Sequence, residues 1–78
     1  MIRLKFPPHM QDMIQFRELN IDHVKLAIRE PDFTETTFQG RMKVRKELDD
    51  GRVLEVIYFR EGFKDSNDHV VITAYYQD

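Results

Sequence analysis

The stretch RMKVRKELDDGRVLEVIYF, residues 41–59, determines the fold that the sequence predicts. A run from Phe38 to Lys46 alternates basic and apolar side chains, which is the period of a strand with one exposed face. Asp50-Gly51 is a strong signal for a hairpin turn, because both residues tolerate a positive φ. Val53 to Phe59 then returns as a second strand. The stretch therefore predicts two antiparallel strands joined by a tight turn.

A strand and two helices are predicted before this hairpin. Ile2 to Phe6 alternates apolar and basic residues and predicts a strand, which the two prolines that follow bring to an end. Proline suits the first turn of a helix, so a first helix is expected from His9 to Arg17 or Glu18. Asn20 is a favourable N-cap for a second helix, which Pro31 ends.

One more strand is predicted after the hairpin, from Val70 to Tyr76, beyond a polar loop from Glu61 to Asp68. The chain is therefore expected to form one α+β domain, residues 1–78, in which an N-terminal strand and two helices pack on a small antiparallel sheet. The last strand is expected to pair on both edges. The side chains expected to face the helices are Met42, Val44, Leu54, Val56, Ile72 and Ala74.

Composition narrows the classes of function. Twelve basic and fourteen acidic residues give a net charge of −2, which argues weakly against a dedicated nucleic-acid binder. The chain has no cysteine, so neither a disulfide nor thiolate chemistry is available. Nothing in the sequence resembles a signal peptide or a membrane span. A soluble cytoplasmic protein without a membrane partner is expected.

Several segments together resemble a known family. They are His9, Arg17, Val24, Pro31, the strand GRVLEVIY at residues 51–58 and VITAY at residues 71–75. The family is a small prokaryotic one, catalogued as the uncharacterised domain numbered four-two-five-eight. Its members begin with a histidine–arginine helix, continue through a GRxLxVVY strand and end in VITAY. The resemblance spans nearly the whole chain, and VITAY is its most specific part.

The resemblance implies a fold and an activity. The family is similar to the RelE-like toxins and to the wider barnase–EndoU–colicin–RelE fold. This similarity implies a metal-independent ribonuclease with an RNA substrate and an antitoxin as protein partner. The chain departs from the pattern at Met13, where members often carry arginine, and at Glu18, where glycine is usual. If the missing arginine contacts phosphate, this member is a slow or inactive homologue.

His9 and Arg17 are candidate catalytic residues on the first helix. His9 can transfer protons near neutral pH, and its place in the first helical turn also favours phosphate. Alternatively, His9 caps the helix or packs against the sheet edge. Arg17 lies eight residues on, about two turns, so it projects from nearly the same helix face. Its alternative role is a surface ion pair, which contributes little stability.

The strands carry the remaining candidates. Alternation places Arg41, Lys43 and Arg45 on one sheet face about 7 Å apart, a spacing that suits successive phosphates of RNA. Thr73 and Tyr75 are expected on the same face, where Tyr75 would stack on a base or donate to a phosphate and Thr73 would orient a partner. The alternative is a solvated face whose residues suit a strand.

Two hypotheses remain open at this point. In the first, the chain is an RNA-cleaving, toxin-like domain that needs no cofactor. A zinc site is not expected, because His23 and His69 have no metal-ligand spacing with each other or with His9. In the second, it is a non-enzymatic module whose sheet face or edge strand binds a protein partner. A homo-oligomer is compatible with both hypotheses.

Overall fold

The computed structural model describes residues 3–61 and 68–77, with the side chain of Phe38 excepted. Across this part of the chain, a short 3-10 turn at Phe38–Gly40 accompanies two helices and five strands. They are β1 (Arg3–Lys5), α1 (Pro8–Phe16), α2 (Ile21–Arg29), β2 (Phe33–Thr36), β3 (Met42–Glu47), β4 (Val53–Glu61) and β5 (Asp68–Gln77). The α+β class predicted from the sequence is confirmed.

The five strands form one mixed sheet in the order β1-β5-β4-β3-β2. Strands β2 to β5 form an antiparallel meander, of which β3, β4 and β5 were predicted, and β1 joins the sheet parallel to β5. The predicted meander is therefore confirmed, and the N-terminal strand, whose direction was not predicted, makes the sheet a mixed one. The chain leaves β1 through two helices and three strands, and this long connection lets β5 lie beside β1 in the same direction.

The strand predicted from Phe38 to Lys46 begins later, at Met42, and a strand that was not predicted, β2, precedes it. β2 ends at Thr36 and β3 begins at Met42. Between them Gln39 and Gly40 have positive φ angles of 68° and 74°, which turn the chain back on itself. Glu61 and Asp68, predicted as loop ends, are the paired ends of β4 and β5. The rest of that predicted loop, residues 62–67, lies outside the described residues.

Local sequence signals account for both helices. Pro8 stands in the first turn of α1, where its missing N–H costs nothing. The side chain of Asn20 accepts a 2.9 Å hydrogen bond from the backbone N–H of Asp22, which confirms the predicted N-cap of α2. Neither helix of the described chain is long and apolar enough to cross a membrane.

The helices bury one face of the sheet. α2 packs on β3 and β4, and α1 packs on β5. Of the side chains expected there, Val44, Leu54, Val56 and Ala74 are buried in the core, and Met42 packs against it. Within the described residues, the buried core cluster consists of Met10, Leu19, Val24, Ala27, Ile28, Val44, Leu48, Leu54, Val56, Tyr58, Val71 and Ala74.

Ile72 was expected in the core, and this prediction was wrong. Ile57 pairs with Thr73 whereas Tyr58 pairs with Val71, so Ile72 is the extra residue of a β-bulge in β5. A bulge shifts the alternation of side chains by one position. Val71 therefore occupies the core position and is fully buried, whereas Ile72 is half-buried outside the core cluster.

The two edges of β5 have different neighbours. β4 pairs with it along its whole length, whereas β1 pairs with it only at Asp68–Val70. Beyond that point α1 runs along the edge, and the side chains of His9 in the helix and of Arg17 directly after it reach the strand's carbonyl oxygens. The expectation of pairing on both edges therefore holds only for the start of β5.

Candidate functional site

The open face of the sheet, which the helices leave uncovered, carries a row of four directly paired residues. Phe33 on β2 lies opposite Arg45 on β3, which lies opposite Glu55 on β4, which lies opposite Tyr75 on β5. Directly opposite side chains on one sheet face are close enough to interact. We call these four residues the Glu55 row.

Glu55 is the centre of the row and is only 2% exposed. Arg45 Nε donates a 2.8 Å hydrogen bond to Glu55 Oε1, and Gln77 Nε2 donates a 3.2 Å bond to the same oxygen. The hydroxyl of Tyr75 donates to Oε2. Lys43 Nζ lies 3.8 Å from Oε1. A buried carboxylate requires such partners, because an unpaired charge away from water costs several kcal/mol.

These contacts shift the pKa values of Glu55 and Tyr75 in opposite directions. Burial alone would raise the pKa of Glu55, but the hydrogen bonds from Tyr75 and Arg45 and the positive charges of Lys43 and Arg45 hold it below its ordinary value. The hydrogen bond to the carboxylate, together with burial, raises the pKa of Tyr75. At neutral pH, Glu55 is therefore ionised and Tyr75 keeps its proton.

Cations lie over both aromatic rings of the row. The guanidinium carbon of Arg45 is 5.2 Å from the ring centroid of Phe33. That of Arg17 is 5.9 Å from the ring centroid of Tyr75, and Arg17 Nη1 donates a 3.0 Å hydrogen bond to the carbonyl oxygen of Ala74. These distances are those of cation–π contacts. Arg17 thus reaches the open face from the end of α1.

The structure brings together four of the residues that the sequence singled out. Lys43, Arg45 and Tyr75 meet at Glu55, and Arg17 adjoins them. Arg41 does not belong to this group, because it precedes β3 and its side chain is exposed. Its carbonyl oxygen instead accepts a 2.7 Å hydrogen bond from the N–H of Thr37 in the β2–β3 turn.

Thr73 lies beside α1, and His9 lies in the first turn of this helix. Thr73 is opposite Ile57 on the open face, and its Oγ1 is 3.9 Å from the sulfur of Met13. His9 Nε2 is 3.3 Å from the carbonyl oxygen of Ile72, which is the sheet-edge contact named as its alternative role. Within the described residues, neither side chain makes a hydrogen bond to the Glu55 row.

Sequence reasoning missed Glu55, Phe33 and Gln77 as site residues. The signal for Glu55 was its single carboxylate within the apolar strand VLEVIYF. A charge at that position belongs on the face that also carries Arg45. Phe33 gave no such signal, because β2 itself was not predicted.

The described residues contain no group of three or more histidine, aspartate or glutamate side chains placed to hold a metal ion. No protein-family model matches the sequence, and no curated protein or solved structure is significantly similar to it. These comparisons neither confirm nor contradict the resemblance to the small prokaryotic family, which stays a prediction.

Proposed function

We propose that the open face binds single-stranded RNA and cleaves it without a metal ion, in the manner that the resemblance to RelE-like toxins implies. The observation that supports this function best is the Glu55 row itself. It joins a buried carboxylate, a phenol and a guanidinium on one exposed sheet face, with Arg17 and Lys43 beside them.

Arg45 and Lys43 are suited to hold a phosphate. Arg45 uses Nε to bind Glu55, so the two terminal nitrogens of its guanidinium remain available to a ligand. A guanidinium held in this way binds two oxygens of one phosphate. Lys43 contributes a second positive charge close to the same carboxylate. Glu55 therefore holds both cations in place, in addition to its role in proton transfer.

Tyr75 and Glu55 supply the proton acceptor. The RNA 2′-hydroxyl gives its proton to the Tyr75 oxygen while the phenol passes its own proton to Glu55. The 2′-oxygen then bonds to phosphorus, the bond from phosphorus to the 5′-oxygen breaks, and the ammonium of Lys43 protonates that oxygen. The products are a cyclic 2′,3′-phosphate and a free 5′-hydroxyl. The cations stabilise the charge that develops on the phosphate oxygens.

A protein-binding function has its own supporting observation. β2 is an outer strand of the sheet, and all four of its residues are exposed. An exposed edge strand offers backbone groups to an added strand. An antitoxin or another partner would bind there through the backbone of β2, and of the Glu55 row it would use only Phe33.

Cleavage of a labelled single-stranded RNA in excess EDTA tests the proposal. We expect the wild type to cleave, and Tyr75→Phe and Glu55→Gln to be about 10²- to 10⁴-fold slower, the usual contribution of a positioned proton-transfer group. Lys25→Gln is the control, because Lys25 is exposed on α2 and away from the open face. Thermal unfolding of each variant verifies that it is folded. A wild type that neither binds nor cleaves RNA would leave the partner-binding function in its place.

A further inference from the structure

Phe16, the last residue of α1, is 89% exposed, although burial of a large apolar side chain would stabilise the fold. It borders a shallow groove of about 550 Å³. The other residues that line the groove are Asp12, Met13, Gln15 and Arg17. An exposed aromatic ring beside a groove can stack on a nucleic-acid base.

The groove adjoins the Glu55 row through Arg17. This residue lines the groove and also lies over the ring of Tyr75. A strand of RNA whose phosphate lies at Arg45 and Lys43 therefore has a neighbouring nucleotide within reach of α1. Proteins that bind single-stranded RNA combine a cationic path for the backbone with aromatic rings on which bases stack.

Asp12 gives the groove its chemical preference. It lies four residues before Phe16, so both project from the same side of α1. In the described part of the chain its carboxylate makes no hydrogen bond and no ion pair. A carboxylate only accepts hydrogen bonds, and it accepts two side by side. Guanine is the base that presents two adjacent donors, N1–H and N2–H, on its pairing edge.

We propose that this groove binds one unpaired guanine of the RNA, stacked on Phe16 and paired by N1–H and N2–H with the carboxylate of Asp12. The proposal rests on the proposed function for its RNA ligand. It adds a base preference to a site that otherwise recognises phosphate alone.

Equilibrium binding of four short fluorescent RNA oligonucleotides tests this subsite. They are identical except for a single guanine, adenine, cytosine or uracil in a uridine background, and EDTA is present. We expect the wild type to bind the guanine oligonucleotide most tightly. Phe16→Ala should weaken its binding by about 5- to 150-fold, the range for loss of one base–aromatic stack. Phe16 is too exposed for this change to disturb the core.

The Asp12→Asn variant distinguishes recognition of guanine by Asp12 from the general effect of its negative charge on RNA binding. Removing an acidic residue anywhere should tighten RNA binding slightly, and Asp49→Asn, an exposed aspartate in the β3–β4 turn, measures that effect. We expect Asp12→Asn to abolish the guanine preference, whereas Asp49→Asn keeps it.

Equal affinity for the four oligonucleotides, or a guanine preference that survives Asp12→Asn, overturns the guanine assignment. RNA cleavage that is unaffected by Phe16→Ala removes the subsite but keeps the proposed function. Guanine-dependent binding by a wild type that does not cleave keeps the subsite and removes the ribonuclease activity. A wild type that binds no oligonucleotide removes both and leaves Phe16 to a protein partner.

Discussion

Arg45 and Glu55 lie directly opposite each other on β3 and β4, and the 2.8 Å bond between Arg45 Nε and Glu55 Oε1 fixes both side chains on the open face. The carboxylate is buried although it belongs to the solvent side of the sheet. Arg45, Lys43, Tyr75 and Gln77 cover it from two neighbouring strands. The contacts that Glu55 makes with these four side chains should therefore stabilise the folded state most when its carboxyl group is ionised.

Stability should depend on pH through Glu55. Its pKa is lower in the folded protein than its ordinary value of 4.5. A group of this kind stabilises the fold at pH values above 4.5, and the stabilisation is lost as the pH falls through the lower, folded value. We expect Glu55→Gln to cost about 1–3 kcal/mol at pH 7, as loss of hydrogen bonds to a charged group does. Urea unfolding of both proteins at pH 7 and at pH 3 should show the difference shrink in acid. An equal difference in the free energy of unfolding at the two pH values would contradict this role for Glu55.

Because of the β-bulge, two adjacent residues of β5 should differ in how much they contribute to stability. Val71 is fully buried in the core, whereas Ile72 is the extra residue of the bulge. We expect Val71→Ala to cost about 2–3 kcal/mol and Ile72→Ala about 1 kcal/mol or less. Urea unfolding of the two variants measures the order. A larger loss for Ile72→Ala would place Ile72 in the core.

The bulge is a feature of the fold that could not be predicted from the sequence. The alternation from Val70 to Tyr76 identified a strand, but it contains no signal for an extra residue, because a bulge is set by how β5 fits β4 and α1. The order of elements and most of the core were predictable, since apolar periodicity encodes burial directly.

Cross-strand register was harder to predict than the strands. Asp50-Gly51 indicated a turn, but Leu48 pairs with Arg52 around a three-residue loop, with Gly51 at a φ of 89°. A two-residue loop would have shifted every pair by one position and separated Arg45 from Glu55. The basic residues of the site were therefore predictable, whereas the row that organises them was not.

Salt dependence should distinguish Lys43 from Arg41. Lys43 lies 3.8 Å from Glu55 in the row, whereas Arg41 precedes β3 and is exposed. Each phosphate that a cation neutralises on a single strand contributes about 0.7 to the slope of log affinity against log salt. We expect Lys43→Gln to lower that slope by about this amount and Arg41→Gln to lower it less. Fluorescence anisotropy with a labelled RNA from 50 to 200 mM KCl, roughly the range over which such slopes are measured, gives both values. Equal effects would return Arg41 to the phosphate path.

Glu35 should oppose RNA binding. It lies opposite Lys43 on β2 and is exposed on the same face. A carboxylate there repels a phosphate at Lys43, although salt screens the repulsion at distances beyond about 8–10 Å. We expect Glu35→Gln to tighten RNA binding by a few-fold at low salt, and Glu30→Gln, at the end of α2, to have a smaller effect. Weaker binding by Glu35→Gln would show that the RNA backbone does not pass this strand.

His9 was predicted as a proton-transfer residue, and its contact supports a different role. Its Nε2 donates to the carbonyl oxygen of Ile72 at the part of β5 that β1 does not reach. That carbonyl belongs to the bulge residue, so the bond holds α1 against an irregular strand edge. We expect His9→Ala to lower stability by about 0.5–1.5 kcal/mol, the net value of one hydrogen bond.

The rate of RNA cleavage should separate the two roles of His9. A residue that only anchors α1 leaves the chemical step intact, so we expect His9→Ala to cleave within a few-fold of the wild-type rate at a temperature where both are folded. Tyr75→Phe, measured beside it, should lose about 10²- to 10⁴-fold. His9→Gln is the matched control, because its amide still donates to the Ile72 carbonyl but cannot take up a proton near neutral pH. Cleavage lost in both His9 variants, with stability retained in His9→Gln, would restore His9 as the general acid or base.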